Sequence, residues 1–259
     1  MSSESRKRSS SEMVAYTFLL SGTLALIASI LYTSSVLAFI GLGLAFWGAL
    51  LLFIRPKKYV NTSLLDSTFL SSFRTIDRIV TDLNYKGKGI YLPPRYLKSR
   101  KGGTVFISSK RDLIIPPAEE VAEEKVFLEN PNGICLTPPG LDLANLYEEK
   151  LKKDFAEVDI DYLQNNLPKL FIEDLEIAED LEISVESNGI QVIITESAYS
   201  GLCKEARRLS DLHSSIGCPL CSSIAIALTR ATRKPIIIEK TETPKDRKTI
   251  EVHYQIIEE

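Results

Sequence analysis

The residues whose types and spacing could do chemistry are Cys203, His213, Cys218 and Cys221, which fall within nineteen positions as C-x9-H-x4-C-x2-C. Thiolates and an imidazole are the ligands zinc prefers in a closed tetrahedral site, and the CxxC step is a common ligand spacing. The remaining steps match no zinc-finger pattern. A second reading places Cys218 at the N-terminus of a helix, where exposed amides lower a thiol pKa, with Cys221 as its resolving partner. A thioredoxin-like pair would follow a strand, however, and this one follows a helix. A third reading has the thiols packing as small apolar groups where a helix enters the core. All three stay open at this stage. Zinc is the one cofactor the pattern suggests, Cys135 is expected to pack, and His253 is expected on a strand.

A helical segment at Ala198 to Leu212 would carry Cys203, with His213 at its end, and Pro219 to Thr232 would form the next helix with proline in its first turn. Two hairpins flank these helices. Leu181 to Ser187 alternates, Asn188-Gly189 is a two-residue turn, and Ile190 to Thr195 returns; Pro235 to Thr241 and Thr249 to Ile257 form the other hairpin. The order ββααββ implies an antiparallel sheet with helices on one face. Upstream, Leu141 to Lys153 and Asp161 to Ala178 read as helices, the latter broken near Pro168.

The 84–140 stretch differs in character. It holds four short extended pieces, Ile90 to Leu92, Thr104 to Ser108, Val126 to Leu128 and Ile134 to Leu136, punctuated by paired prolines at 93/94, 116/117 and 138/139. From Asn84 to Arg111 there are eight basic residues and no acid, whereas Asp112 to Gln191 holds twenty acids against five bases. Lys98, Arg100 and Lys101, beside Gly102-Gly103, are candidates for contact with anionic lipid headgroups or a phosphate-bearing ligand. Gly-Lys-Gly at 87–89 lacks the spacing of a phosphate-binding loop. A nucleic-acid role is not expected.

All of this hangs from an N-terminal stretch that cannot live in water. Val14 to Leu31 and Val36 to Ile54 are eighteen and nineteen residues without a charge, each about the length that crosses a bilayer. Tyr32 to Ser35 joins them. Arg6, Lys7, Arg8, Arg55, Lys57 and Lys58 flank the pair and the loop has no Lys or Arg, so the positive-inside bias puts both termini in the cytoplasm. Small residues recur every fourth position, at Ser21, Ala25 and Ser29 and at Gly41, Ala45 and Ala49, which allows close helix packing. Neither span carries an ionisable residue, which argues against a channel or transporter. Four cysteines in a cytoplasmic chain are expected as reduced thiols or metal ligands.

Asn61 to Leu83 has apolar residues spaced by three and four, so it reads as an amphipathic helix leaving the membrane. Its apolar face could meet the soluble domain, a second copy of the chain, or the membrane surface.

The expected organisation is therefore a basic tail (1–13), a two-helix hairpin (14–54), a juxtamembrane helix (55–83), a basic β-rich unit (84–140) and an α+β domain (141–259). Through Gly89-Ile90-Tyr91-Leu92-Pro93-Pro94, Gly133-Ile134-Cys135-Leu136-Thr137-Pro138-Pro139 and Gly217-Cys218-Pro219-Leu220-Cys221-Ser222-Ser223 the layout resembles uncharacterised archaeal membrane proteins with a short N-terminal hairpin and a cytoplasmic domain. The Cys218 to Tyr254 segment is similar to the end of vinyl-reductase-type small-molecule-binding domains, but it lacks their hairpin cysteines, so no ligand role transfers.

No set of residues identifies an enzyme. The function expected is a membrane-anchored cytoplasmic domain that binds a small ligand or a protein partner as sensor or scaffold. The alternatives are a metal- or thiol-dependent protein built on the four-residue cluster, and a self-associating, homodimeric membrane protein. Membrane lipid is the expected surrounding of the anchor.

Overall fold

Strands that alternate apolar and polar residues need one covered face, and the sheet of this protein supplies it with helices. The computed structural model describes residues 10–53, 62–186, 189–208, 210–242 and 248–258. The basic flanks Arg6, Lys7, Arg8, Arg55, Lys57 and Lys58, together with Ile54, Asn61, Ser187, Asn188 and Leu209, lie outside the described residues. The chain divides into two units, Met1–Asn61 and Thr62–Glu259.

The first unit holds two apolar helices, α1 (Ser10–Leu31) and α2 (Ser35–Phe53). They meet along Ala15, Gly22 and Ser29 on α1 and Gly41 and Gly48 on α2, which are buried. A Cβ on Gly22 would lie 2.5 Å from the Ala45 backbone nitrogen, and one on Gly48 would lie 2.7 Å from that of Leu19. Only glycine permits so close an approach. The seam thus repeats every seventh residue, two full turns, and Ala49 of the expected four-residue stripe is exposed. The hydroxyl of Ser29 donates to the Ser34 carbonyl at 3.0 Å, closing the reversal between the helices.

The second unit contains one eight-stranded antiparallel sheet in the order β3-β4-β2-β1-β7-β8-β6-β5. Its strands are β1 (Gly89–Tyr91), β2 (Val105–Ser108), β3 (Phe127–Glu129), β4 (Asn132–Leu136), β5 (Asp180–Glu186), β6 (Gly189–Thr195), β7 (Ile236–Glu242) and β8 (Thr249–Ile256). The four short strands of the basic segment and the two distal hairpins therefore share one sheet, joined where Ile90 pairs with Ile237 and Tyr91 with Ile236. The boundary expected at residue 140 does not interrupt the sheet.

Helix α3 (Thr62–Asp82) turns Phe73 and Val80 into the core, with Phe69 and Ile76 half-buried beside them. Its apolar face is thus occupied by the second unit itself. Asn84, in the left-handed region at φ 56, ends the turn that follows. The remaining helices are α4 (Ala118–Ala122), α5 (Leu141–Leu151), α6 (Ile160–Lys169), α7 (Ser200–Ala206), α8 (Ser210–Ile216) and α9 (Pro219–Thr232). Pro168 lies inside the last turn of α6, and a π-turn, Leu170–Asp174, continues from it. Between α7 and α8 the single helix expected from Ala198 to Leu212 is divided.

The strands alternate between two cores. Tyr91, Val105, Ile107, Val192, Ile236, Ile238 and Tyr254 face the main core under α3 and α5 to α9, while Ile90, Phe106, Leu128 and Ile237 face a smaller one under α4. The sheet half made of β1, β2 and β4 is therefore covered on both sides. The half made of β5, β6 and β8 keeps one polar face partly open, as its alternating burial shows.

Thirteen of the fourteen residues of α9 are buried, so this helix lies inside the core. Leu220, Ile224 and Leu228 are fully excluded from solvent, each worth about 2 kcal/mol of apolar transfer. Gly140, at the start of α5, touches its first turn so closely that a Cβ there would sit 2.1 Å from the Ser223 nitrogen and 2.4 Å from the Pro219 carbonyl. These are backbone atoms and cannot swing aside. Gly140→Ala should therefore destabilise the second unit by about 2 kcal/mol or more, read by thermal or denaturant unfolding; a neutral result would mean that α5 is free to move off α9.

Candidate functional site

The turn between α8 and α9 gathers the residues that the spacing singled out. Gly217 adopts φ +67, which breaks the helical run, and Cys218 becomes the residue before Pro219 at the start of α9. The break leaves polar backbone groups deep in the core, where an unpaired one costs about 1–3 kcal/mol. Three buried tyrosines reach this break. Tyr91 donates to the Ile216 carbonyl at 2.5 Å, Tyr254 donates to the Cys221 carbonyl at 2.9 Å, and the Tyr147 hydroxyl bonds that of Ser223 at 3.0 Å. Ser222 accepts from the Gly140 amide at 3.1 Å, and Ser223 donates to Leu220. Burial raises all three phenol pKa values, so they stay protonated donors.

The structure brings Cys203, Cys218 and Cys221 together and joins the first two. Cys203 on α7 and Cys218 form a disulfide, with Cα atoms 5.4 Å apart across a separation of 15 residues. This corrects the expectation that all four cysteines are reduced thiols or metal ligands. Cys203 on α7 faces the start of α9 and meets Cys218 there. Cys221 is a free, fully buried thiol whose Sγ lies 3.4 Å from that of Cys218. Burial pushes its pKa up to about 11, so it is protonated at neutral pH and a poor nucleophile. Cys135 is half-buried on β4, far from this cluster in the sheet, and its pKa is likewise pushed up to about 11 by desolvation.

His213 is buried on α8, and its Nε2 has no hydrogen-bond partner among the described residues. Desolvation first, and the nearby Arg207 second, push its pKa down to about 4. Among the described residues, no group of three or more His, Cys, Asp or Glu side chains is arranged to hold a metal ion. His253 sits on β8, half-buried, with Nε2 3.0 Å from Glu251 Oε1.

The basic loop has a different fate from the one its composition suggests. Arg100 pairs with Glu157 at 3.3 Å and Asp154 at 3.7 Å, and Lys98 lies 4.0 Å from Glu124. The Lys101 carbonyl accepts from the Asn145 side chain at 3.2 Å, and the Gly102 carbonyl accepts from Arg230 at 3.1 Å. Arg230, 2% exposed on α9, also bonds Asn145 Oδ1 at 2.9 Å and stands 3.0 Å from Glu148 Oε2. The Arg230–Glu148 contact is close in distance but bent, so it acts as a charge pair more than as a directed hydrogen bond. Glu148 spends its other oxygen on the Phe155 amide at 3.0 Å. Neither Arg230 nor Glu148 stood out in the sequence, although a lone arginine in an otherwise apolar helix was the available hint.

This anchored loop forms one wall of a cleft of about 310 Å³, with Leu97, Thr104, Val126, Leu136 and Leu141 along it, Lys98 among its lining and Cys135 inside. A wider, open depression of about 530 Å³ lies elsewhere, lined by Glu176, Glu179, Glu196 and Lys248 among others. The first cleft is mixed, lined by leucines and Val126 and also by Lys98, Glu124 and Lys125.

What these features define is an α+β domain with a helix-filled core and a surface cleft, preceded by two apolar helices. The chain belongs to the family described as a domain of unknown function, DUF7982, whose family model matches residues 2–256. No curated protein and no solved structure matches it.

The depressed pKa of His213 has a stability consequence. In the unfolded chain its imidazole takes up a proton near pH 6.5, whereas in the folded protein it does so only near 4. The unfolded state thus binds more protons as pH falls through this window, and stability is lost toward acid. Between pH 7 and pH 5 the expected loss from this group is about 2 kcal/mol. Denaturant unfolding of wild type and His213→Gln at the two pH values should show that slope in the wild type and its absence in the variant.

Proposed function

We propose that this protein is a membrane-anchored binding module, held in the cell membrane by α1 and α2 as two spans, with both termini and residues 62–259 on the cytoplasmic side. The observation that carries this reading is the contrast between the apolar helices. The windows Val14–Leu31 and Ser35–Phe53 have mean hydropathies of 2.0 and 2.4 and are only 11% buried, so their outward faces need hydrocarbon around them. A third stretch, Leu212–Thr232, is apolar enough to span by composition but is 94% buried inside the soluble unit. It is read here as a core element, which leaves two spans.

The orientation rests on Arg6, Lys7, Arg8, Arg55, Lys57 and Lys58 against a loop without Lys or Arg. Both partners of the Cys203–Cys218 disulfide are buried, which slows its exchange with thiols in solution but does not bear on orientation. The binding surface favoured is the 310 Å³ cleft beside residues 97–104, whose loop is held in place by Arg230. The two lysines of its lining each stand near an acid, Lys98 by Glu124 and Lys125 by Glu123, which favours a small, partly apolar ligand over a free phosphate.

Topology tests the reading directly. In intact cells, a Ser34→Cys, Cys135→Ser variant should react with a membrane-impermeant thiol reagent from outside, while a C-terminal epitope stays protected from added protease until the membrane is opened. Labelling of neither, or digestion of the epitope in intact cells, would refute the two-span arrangement.

A further inference from the structure

The eight basic residues between Asn84 and Arg111 are one block in sequence, but folding separates them: Arg95 lies over the Tyr96 ring, Lys101 is exposed without an ion pair among the described residues, and the other six fall into two groups. Lys98 and Arg100 are matched by acids, and Lys88 donates to the Glu239 carbonyl at 2.8 Å. Lys86, Lys110 and Arg111 are exposed, and their side chains make no ion pair among the described residues. Two separate segments bring these three together. The Gly87 amide donates to the Ser108 carbonyl at 3.1 Å, and a Cβ on Gly87 would lie 2.9 Å from the Lys110 carbonyl, so Lys86 and Lys110 are neighbours across that contact.

The loop then does something unusual for a solvated basic turn. The Lys110 amide bonds the Ser108 hydroxyl at 3.2 Å, and the Ile114 amide bonds the Asp112 carbonyl at 3.1 Å, which makes a tight reversal. At its tip, Leu113 and Ile114 are 44% and 41% exposed. Ile115 packs on the smaller core and Pro116 is buried, so the tip stands on a fixed base. Asp112 is the sole acid between Ser109 and Pro117.

We propose that Leu113 and Ile114, flanked by Lys86, Lys110 and Arg111, form a contact for the surface of an anionic bilayer. Apolar side chains at the tip enter the acyl boundary, and the unmatched cations meet headgroup phosphates. A nucleic acid would use the cations but gives two aliphatic side chains nothing to cover them. The bilayer is the occupant because the same chain carries α1 and α2, and in this respect the inference rests on the anchor reading above. It moves the lipid contact away from Lys98 and Arg100, whose side chains face acids, to a loop where cations stand beside exposed aliphatic side chains, which Lys101 lacks next to Gly102-Gly103.

The test uses the full chain in nanodiscs made either of phosphatidylglycerol or of phosphatidylcholine, with amide hydrogen exchange read over residues 109–116. Three basic groups near an anionic surface support a slowing of at least about tenfold in the phosphatidylglycerol discs relative to the neutral ones, reversed by high salt. Lys110→Glu with Arg111→Glu should abolish the difference, Leu113→Ser with Ile114→Ser should reduce it, and Lys98→Ala should leave it. Equal exchange in both lipids would overturn the inference, as would protection in both that tracks protein concentration or appears only with added oligonucleotide. A chain that does not stay with the discs would instead overturn the anchor. The same chain mixed with vesicles of the two lipids then decides the loop by the same criterion.

Discussion

The structure of the second unit depends on keeping α9 out of water. Its residues are apolar nearly all round, and a helix of that kind needs a complete shell. Sheet residues from both halves, together with α5 and α6, provide it. The interruption at Gly217 is what makes the shell polar where it must be. Tyr91 from β1, Tyr147 from α5 and Tyr254 from β8 each send a hydroxyl to the same turn, so elements distant in sequence are tied to one helix start. The disulfide from α7 reaches it too.

Charge is arranged around this centre by the same fold. The acid-rich middle of the chain and the basic segment before it would repel partners of their own sign if each were a separate body. Once folded, Arg100 of the basic segment meets Asp154 and Glu157 of the acid-rich part, and Arg230 of α9 meets Glu148. The buried Arg230–Glu148 pair is costly to desolvate, and removal of either partner alone would leave a stranded charge. What it contributes is position, since the same guanidinium grips the Gly102 carbonyl and thereby shapes the cleft.

Much of the fold was legible because it is written in local periodicity. The two apolar helices follow from uninterrupted hydropathy, α3 from a three-and-four spacing, and β5 with β6 from strict alternation. The union of the two sheet halves was not legible, because the β1–β7 pairing joins residues nearly 150 positions apart and neither edge carries a mark of its partner. The seven-residue seam of α1 and α2 was half visible, as small residues are plentiful there and only contact selects among them. For the sulfur cluster, spacing brought the right residues together but could not choose among ligand, thiol and crosslink. That choice depends on how α7 faces α9. The tyrosine hydroxyls and Arg230 escaped notice because each serves a backbone group, and the need for it arises only once the helix break exists.

The central claim is that the third apolar stretch is a core helix and that membrane attachment belongs to the first two. The most direct measurement is to express residues 62–259 alone and extract the membranes at alkaline pH, which strips surface-bound protein but leaves integral spans. The account predicts that the fragment is released in full and unfolds as one cooperative unit, while residues 1–61 fused to a reporter stay in the pellet. A fragment that remains in the alkali-resistant membrane would mean that Leu212–Thr232 spans the bilayer, and would contradict the account.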